Sequence, residues 1–346
     1  MSRVLVTGAT GFIAGHAIEE LIRNGHEVRG TVRSLRDPAR VEHLHRIADA
    51  LGGHLDLVEA DLSRETGWDE AVAGREYVLH MASPFPATPP RDEAELVRPA
   101  VDGTRRVLAA SAWAGVRRVV MTSSLAAVSA ARSRAGDRRR TEEDWSDPDR
   151  IAPYAKSKTL AERAAWSFAA DHPGLELAVI NPGLVLGPVQ HAASGTSVSL
   201  VRRLLGREIP AVPELGFAPV DVRDVARAHR LAMEAPHAAG RRYICAGDNV
   251  WFGDIARILD EEFGPQGYRV PRRRMPYWML WTAGRFDREV RLGLDFVGSA
   301  EHVSAEKAVR ELGWSMRPVR ETLVDTGRSL AELGLVRPRR AERSAA

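Results

Sequence analysis

Within its first fifteen residues the chain passes from an apolar run, Arg3-Val4-Leu5-Val6, through Thr7-Gly8-Ala9-Thr10-Gly11 into Phe12-Ile13-Ala14-Gly15 and a stretch of helical periodicity. A strand that turns on glycines straight into a helix permits few folds. Gly8 allows the tight turn, Gly11 lets a ligand's phosphates approach the backbone, and the small Ala14 at the third fingerprint position lets helix and sheet pack closely. The helix N-terminus then offers N–H groups to an anion. A glycine-rich turn can also be mere packing; its place between strand and helix favours the phosphate cradle.

The pattern that follows is the one such a turn requires. Strand-like runs at 4–7, 27–32, 55–59, 77–81, 118–122 and 177–180 alternate with amphipathic stretches at 13–23, 39–50, 93–113 and 154–170. Alternation of this kind predicts an α/β fold, a Rossmann-type doubly wound parallel sheet with its ligand crevice at the carboxyl ends of the strands. After Gly183 the alternation weakens, Pro and Gly become frequent, and a helix at 221–234 with a strand at 241–246 rejoins the sheet. We therefore expect a dinucleotide-binding domain of residues 1–183 plus about 218–248. A smaller, discontinuous C-terminal substrate lobe takes about 184–217 plus 249–336, and 337–346 is a disordered tail.

Bulk composition excludes several classes. The 346 residues suffice for one large core and a smaller lobe. No run of about 18 apolar residues is available to span a bilayer, and the first residues lack the layout of a secretory signal, so we expect a soluble, cytoplasmic protein with no membrane partner. The single cysteine, Cys245, sits in the apolar stretch Tyr243-Ile244-Cys245-Ala246 and reads as a core residue. A net charge of +3 is small for this length, and the sequence pI of about 9.3 reflects abundant arginine, so no nucleic-acid partner follows. The eleven histidines show no metal-ligand spacing: His43 and His45 are two apart on a predicted helix, and His80 ends a strand.

The end of the second strand selects between nicotinamide cofactors. A carboxylate there binds ribose hydroxyls, whereas an arginine accommodates the extra phosphate of NADP. The chain reads Gly30-Thr31-Val32-Arg33, followed by Arg36 and Arg40, and Arg33 is the one expected to meet the phosphate. Asp61, in Glu59-Ala60-Asp61-Leu62, reads equally as an acceptor for the adenine amino group or as helix-capping chemistry.

Tyr154-Ala155-Lys156-Ser157-Lys158 places Tyr154 and Lys158 on one helix face. A phenol with an unperturbed pKa of ~10 protonates a carbonyl oxygen poorly at neutral pH. A nearby ammonium lowers it, so Lys158 is expected to tune Tyr154 and to hold a ribose. The spacing alone recurs by chance on exposed helices. What gives it weight is Thr122-Ser123-Ser124 at the end of the preceding strand, where a hydroxyl can donate to a developing alkoxide. Ser124 is the expected donor, with Ser123 the alternative. A hydrolase elbow is absent, since Ser124 lies between Ser123 and Leu125.

These motifs, with His80-Met81-Ala82-Ser83-Pro84-Phe85, Asn181-Pro182-Gly183 and Val220-Asp221-Val222-Arg223-Asp224-Val225-Ala226, resemble over nearly the whole chain the extended short-chain dehydrogenase/reductases of the dihydroflavonol-reductase-like aldehyde/ketone reductase group. The resemblance implies NADP(H) held along Thr7, Gly8, Thr10, Gly11, Phe12 and Ile13, and at Arg33, Arg40, Asp61 and Leu62. Further contacts would come from Ala82 and Ser83, Tyr154 and Lys158, and from Pro182, Gly183 and Val185 behind the nicotinamide. It implies Ser124, Tyr154 and Lys158 as catalytic, and Phe85, Ser124, Ser129 and Tyr154 toward a small carbonyl substrate. Many relatives carry Asn-Val-X-Gly-Thr where this chain has Ala100-Val101-Asp102-Gly103-Thr104. Relatives that reduce cinnamoyl-CoA thioesters carry an aromatic, cysteine-containing stretch where it has Pro153-Tyr154-Ala155, which lowers the rank of thioester reduction.

The expected reaction is therefore NADPH-dependent reduction of an aldehyde or ketone. Leu125-Ala126-Ala127 lacks the acidic pair of sugar-nucleotide dehydratases, and Arg33 sits poorly with epimerases or dehydrogenases that retain NAD. A non-catalytic NADP(H) sensor would typically have lost the tyrosine or lysine. Phe85, Phe217, Trp251, Trp278 and Trp281 are expected mainly in lobe packing, with one or two at the ligand. Arg132, Arg134, Arg138, Arg139 and Arg140 read as a solvated loop able to draw acidic substrates. Monomer and homodimer both remain open.

Overall fold

The computed structural model describes residues 1–83, 92–130, 138–192, 195–283, 285 and 297–338. Seven strands build one parallel sheet: β1 (Arg3–Val6), β2 (Glu27–Val32), β3 (Leu55–Glu59), β4 (Tyr77–His80), β5 (Arg118–Thr122), β6 (Glu176–Pro182) and β10 (Arg241–Cys245). Their spatial order is β3-β2-β1-β4-β5-β6-β10, with Val4 opposite both Val28 and Tyr77. The order reverses between β1 and β4, and there the strand ends open a crevice.

Helices cover both faces, which is why the central strands read as nearly continuous apolar runs. On one face α1 (Phe12–Arg23) and α2 (Glu42–Ala50) pack with α7 (Val222–Glu234); on the other lie α3 (Trp68–Val72), α4 (Ala94–Trp113) and α5 (Pro153–Asp171). Ile18, Leu21 and Val225 fill the first cluster, and Val107, Leu108 and Ala165 the second, all fully buried. Asp221, expected inside α7, instead caps it, its Oδ1 accepting the Arg223 N–H at 2.9 Å. The predicted helix at 39–50 starts at Glu42, because Pro38–Arg40 forms a tighter turn of its own.

Beyond β6 come β7 (Leu184–Leu186), α6 (Thr196–Leu205), β8 (Gly216–Phe217), β9 (Pro219–Asp221), β11 (Val250–Trp251), α8 (Phe252–Phe263) and α9 (Tyr277–Ala283). Of these, α6 and α8 with α11 (Val319–Glu332) enclose a separate cluster of Val201, Leu204, Ile255, Leu259, Phe263 and Leu323. The chain after 249 does not all stay there. α10 (Glu306–Leu312) and Trp314 return to the sheet's own core, where the Trp314 indole donates to the Asp224 carbonyl at 2.8 Å. Among the described residues no helix is long and apolar enough to cross a membrane.

Candidate active site

The glycine turn is built at the reversal of strand order. Gly8 takes φ +70°, and a Cβ there would stand 3.1 Å from Ala82 at the end of β4. The Gly8 N–H donates to Thr31 Oγ1 at 3.0 Å and the Ala9 N–H to the Thr31 carbonyl at 2.8 Å, which ties the turn to β2. No side chain caps α1 at Gly11, so the N–H groups at Phe12 and Ile13 remain available to an anion. A cradle that a side chain would fill, beneath an uncapped helix, fits the phosphates of a dinucleotide.

Thr7 locks β1 to β4. Its Oγ1 accepts the N–H groups of Met81 (3.0 Å) and Ala82 (2.9 Å), so its own proton goes to His80 Nδ1 at 3.0 Å. His80 is thereby assigned Nε2–H, which donates to Thr104 Oγ1 at 3.4 Å. Burial, with Lys158 acting in the same direction, lowers His80 to about 3, so it stays neutral. Thr7 and His80 lie 73 residues apart, and the adjacency of β1 and β4 is what couples them.

Arg33 and Arg40 are exposed after β2, and Arg40 faces Asp37 at 3.5 Å. Asp61 accepts both the N–H and the hydroxyl of Ser63 at 2.8 Å, a local turn well before α3. The Ser63 N–H is the largest influence holding its carboxyl below the ordinary value, and Arg33 adds to it, so Arg33 and Asp61 flank one crevice edge. Leu62 packs against Gly103 of α4, where a Cβ would come within 3.0 Å. Thr10 gives its carbonyl to His191 Nε2 at 3.1 Å, and Ser83 is exposed beside Ala82.

Tyr154 is the second residue of α5, started by Pro153, and Lys158 follows one turn later. Ser124 stands in extended conformation just past β5, its Oγ accepting the Ala126 N–H at 3.2 Å. The Ser124 and Tyr154 hydroxyls are hydrogen-bonded. Burial lowers Lys158 to about 8, with Glu162 opposing. The phenol departs from expectation: desolvation raises Tyr154 above its ordinary value, the Ser124 hydrogen bond works against this, and Lys158 is not among the causes. Tyr154 therefore stays protonated at neutral pH, the form a proton donor needs.

Ser123 is otherwise engaged. Its hydroxyl donates to Glu162 Oε2 at 2.5 Å, and Glu162, fully buried, also accepts from Asn181 Nδ2 at 2.8 Å and Arg242 Nε at 2.5 Å. This network lies behind the Ser124–Tyr154 pair and takes Ser123 out of competition with Ser124.

Ser124, Ser129, Tyr154, Pro182 and Gly183 line one cavity of about 530 Å³. Val185 does not; its side chain is buried in the sheet core, and Leu184 lines the wall instead. Of the five aromatics, Phe217 lines the cavity, Trp251 sits in β11, and Phe85 lies outside the described residues. Trp278 and Trp281 are exposed rather than packed. The described arginines of the loop are ion-paired: Arg138 and Arg140 share Asp144, and Arg139 meets Asp248 at 3.1 Å. Arg132 and Arg134 lie outside the described residues. Glu301, which sequence reading missed, lines the same cavity. Cys245 is buried, and burial pushes its thiol up.

Residues 4–246 match the model of the NAD dependent epimerase/dehydratase family. Cinnamoyl-CoA reductase 1 of Petunia hybrida is 36% identical over 335 residues, 96% of this chain and 92% of that one. Among solved structures, yeast methylglyoxal/isovaleraldehyde reductase Gre2 complexed with NADPH has a TM-score of 0.76 and 30% identity, covering 96% of this chain and all of its own. Vestitone reductase from alfalfa (Medicago sativa L.) has a TM-score of 0.73 and 26% identity, with 97% of this chain and all of its own covered. With a family match over most of its length and relatives of this kind, the chain belongs to the NAD dependent epimerase/dehydratase family, as an extended short-chain dehydrogenase/reductase of the dihydroflavonol-reductase-like group.

Proposed function

We propose that this chain is an NADPH-dependent reductase of aldehydes or ketones, with Tyr154 as proton donor. The observation that carries the reading is the hydrogen-bonded Ser124–Tyr154 pair lining one cavity with Pro182 and Gly183. The bound cofactor would supply a hydride to the carbonyl carbon. Its phosphates fit the turn from Gly8 to Ile13, and Arg33 stands where a ribose phosphate would need a cation. Yeast Gre2, which covers 96% of this chain, is a complex with NADPH, and that supports the choice of cofactor.

Within the cavity Ser124 orients and polarises the carbonyl oxygen, and Tyr154 delivers the proton as negative charge develops there. Lys158, on the same face of α5, holds the ribose and offers a cation behind the phenol. Because its ammonium is held near 8, Lys158 remains mostly charged at neutral pH. Leu125 and Ala126 line the wall beyond Ser124, where a dehydratase would place its acidic pair.

NADPH and NADH oxidation should be followed by absorbance against aromatic aldehydes, aliphatic ketones, α-ketoesters, flavanonols and cinnamoyl-CoA. Turnover with NADPH is expected for at least one carbonyl class. Tyr154→Phe should lose on the order of a hundred- to ten-thousandfold in kcat with an unchanged NADPH Kd. Near-full activity in that variant would remove Tyr154 as the acid. Thioester reduction is the second reading, supported by the Petunia relative; cinnamoyl-CoA turned over in preference to every aldehyde and ketone would establish it.

A further inference from the structure

The cavity shared by Ser124 and Tyr154 carries one carboxyl side chain, Glu301. Its position is fixed by the backbone. The Glu301 N–H donates to Asn249 Oδ1 at 2.9 Å, and β8 presses on the same segment at Gly216. A Cβ on Gly216 would stand 2.2 Å from Asn249 Oδ1 and 2.8 Å from the Ser299 carbonyl, so only glycine lets residues 299–301 lie this close to the wall. One carboxylate oxygen, Oε2, accepts the Ala218 N–H at 2.8 Å. Among the described residues no cation pairs with Glu301, and no second hydrogen bond occupies its other oxygen. Tyr154 is the other titratable residue along this cavity, and the walls are largely apolar, with Leu184, Leu200, Leu215 and Phe217.

A carboxyl placed without a cation among apolar side chains weakens the fold. Burial lifts Glu301 to about 7, against the pull of the Ala218 N–H. Glutamine would serve that N–H equally well and carry no ionisation penalty. The remaining acceptor therefore has a use only when something enters the cavity.

We infer that Glu301 selects uncharged carbonyl substrates bearing a hydroxyl group apart from the carbonyl, by accepting that hydroxyl's hydrogen bond. The inference rests on the reductase reading for the identity of the reacting group, though not for the existence of the acceptor. A hydroxyl satisfies the free oxygen without carrying net charge among leucines. A carboxylate or phosphate on the substrate meets repulsion instead.

The test uses the full chain with NADPH and the ortho, meta and para isomers of (hydroxymethyl)benzaldehyde, their methyl ethers, and the formylbenzoates. At pH ~8.5, above the value of about 7 to which burial lifts Glu301, wild-type kcat/KM for the best hydroxymethyl isomer should exceed that for its ether by roughly tenfold, the worth of one hydrogen bond to a charged group, and formylbenzoates should be poorest. Glu301→Gln keeps an acceptor for the Ala218 N–H and turns an NH₂ group to the cavity, so the ratio should fall to within about twofold. The Kd values of the same compounds, read from NADPH fluorescence, separate the two readings. A hydroxyl preference in Kd that Glu301→Gln abolishes upholds Glu301 even if these aldehydes do not turn over, and the reductase reading falls only if the full carbonyl panel also gives no NADPH turnover. Turnover with a wild-type ratio within about twofold, or a ratio that Glu301→Gln leaves unchanged, overturns the role of Glu301 and leaves the reductase reading standing. The wild-type ratio needs no variant and decides the matter even if the substitution prevents folding.

Discussion

Replacing Arg242 by methionine should strand the buried Glu162 carboxylate. Arg242 is 7% exposed and donates from Nε to Glu162 Oε1 at 2.5 Å. Its Nη1 reaches the carbonyls of Glu142 (2.9 Å) and Asp144 (3.0 Å), and its guanidinium lies 3.7 Å from the centre of the Trp145 ring. Removing one member of a buried pair costs ~3–5 kcal/mol. Each abandoned carbonyl adds ~1–3 kcal/mol if no water reaches it, and the lost stacking up to ~2 kcal/mol. These contributions share one network and do not add, so we expect about 4–5 kcal/mol in all. Urea unfolding followed by circular dichroism and tryptophan fluorescence reads it out. Adding Glu162→Gln to Arg242→Met should restore about 2 kcal/mol by removing the stranded charge. A loss under ~1 kcal/mol, or a double variant weaker than Arg242→Met alone, would refute the argument.

Three further outcomes follow from the site. Lys158, held at about 8 against an ordinary 10.5, binds its proton less tightly folded than unfolded, so wild-type stability relative to Lys158→Met should rise by roughly 3 kcal/mol between pH 8 and 10.5; paired thermal melts across that window check it. Gly8→Ala forces a side chain into φ +70° and to 3.1 Å from Ala82, so it should destabilise by ~1–2 kcal/mol and weaken NADPH binding, read by Tm and by fluorescence titration. Arg33→Asp should shift the NADPH-to-NADH ratio of kcat/KM by ~10–100-fold toward NADH, and an unchanged ratio would assign the phosphate to another cation.

What could be read from the sequence was what depends on neighbours along the chain. The glycine turn needs φ > 0 at Gly8 and an extended strand just before it, and both are written within a few residues of it. Tyr154 and Lys158 share a face because four residues make about one helical turn, and the alternation of strands and helices fixed the sheet class. Environment was less visible. Spacing placed an ammonium one turn from the phenol, yet Lys158 is not among the causes that shift Tyr154; desolvation raises it against the Ser124 hydrogen bond, a balance that helical spacing does not reveal.

Choosing between Ser123 and Ser124 needed the burial of Glu162, which a sequence presents as one more acidic residue on a helix. Arginines show the same limit. Counted along the chain they raise the pI and read as surface charge, but Arg118 is 1% exposed and donates to the carbonyls of Ala232, Met233 and Ala235, which end α7. Arg242 is buried against Glu162 in the same way. Glu301 was hidden for a further reason: it enters the cavity from a segment with no motif, and the smallness of Gly216 lets that segment approach. Its partner there is a backbone N–H of Ala218, a group every residue but proline carries, so no pattern of side chains along the chain announces the contact. A residue that selects among substrates through such a contact is free to change identity without disturbing the Ser124–Tyr154–Lys158 arrangement, which is how one reductase scaffold can serve different carbonyl compounds.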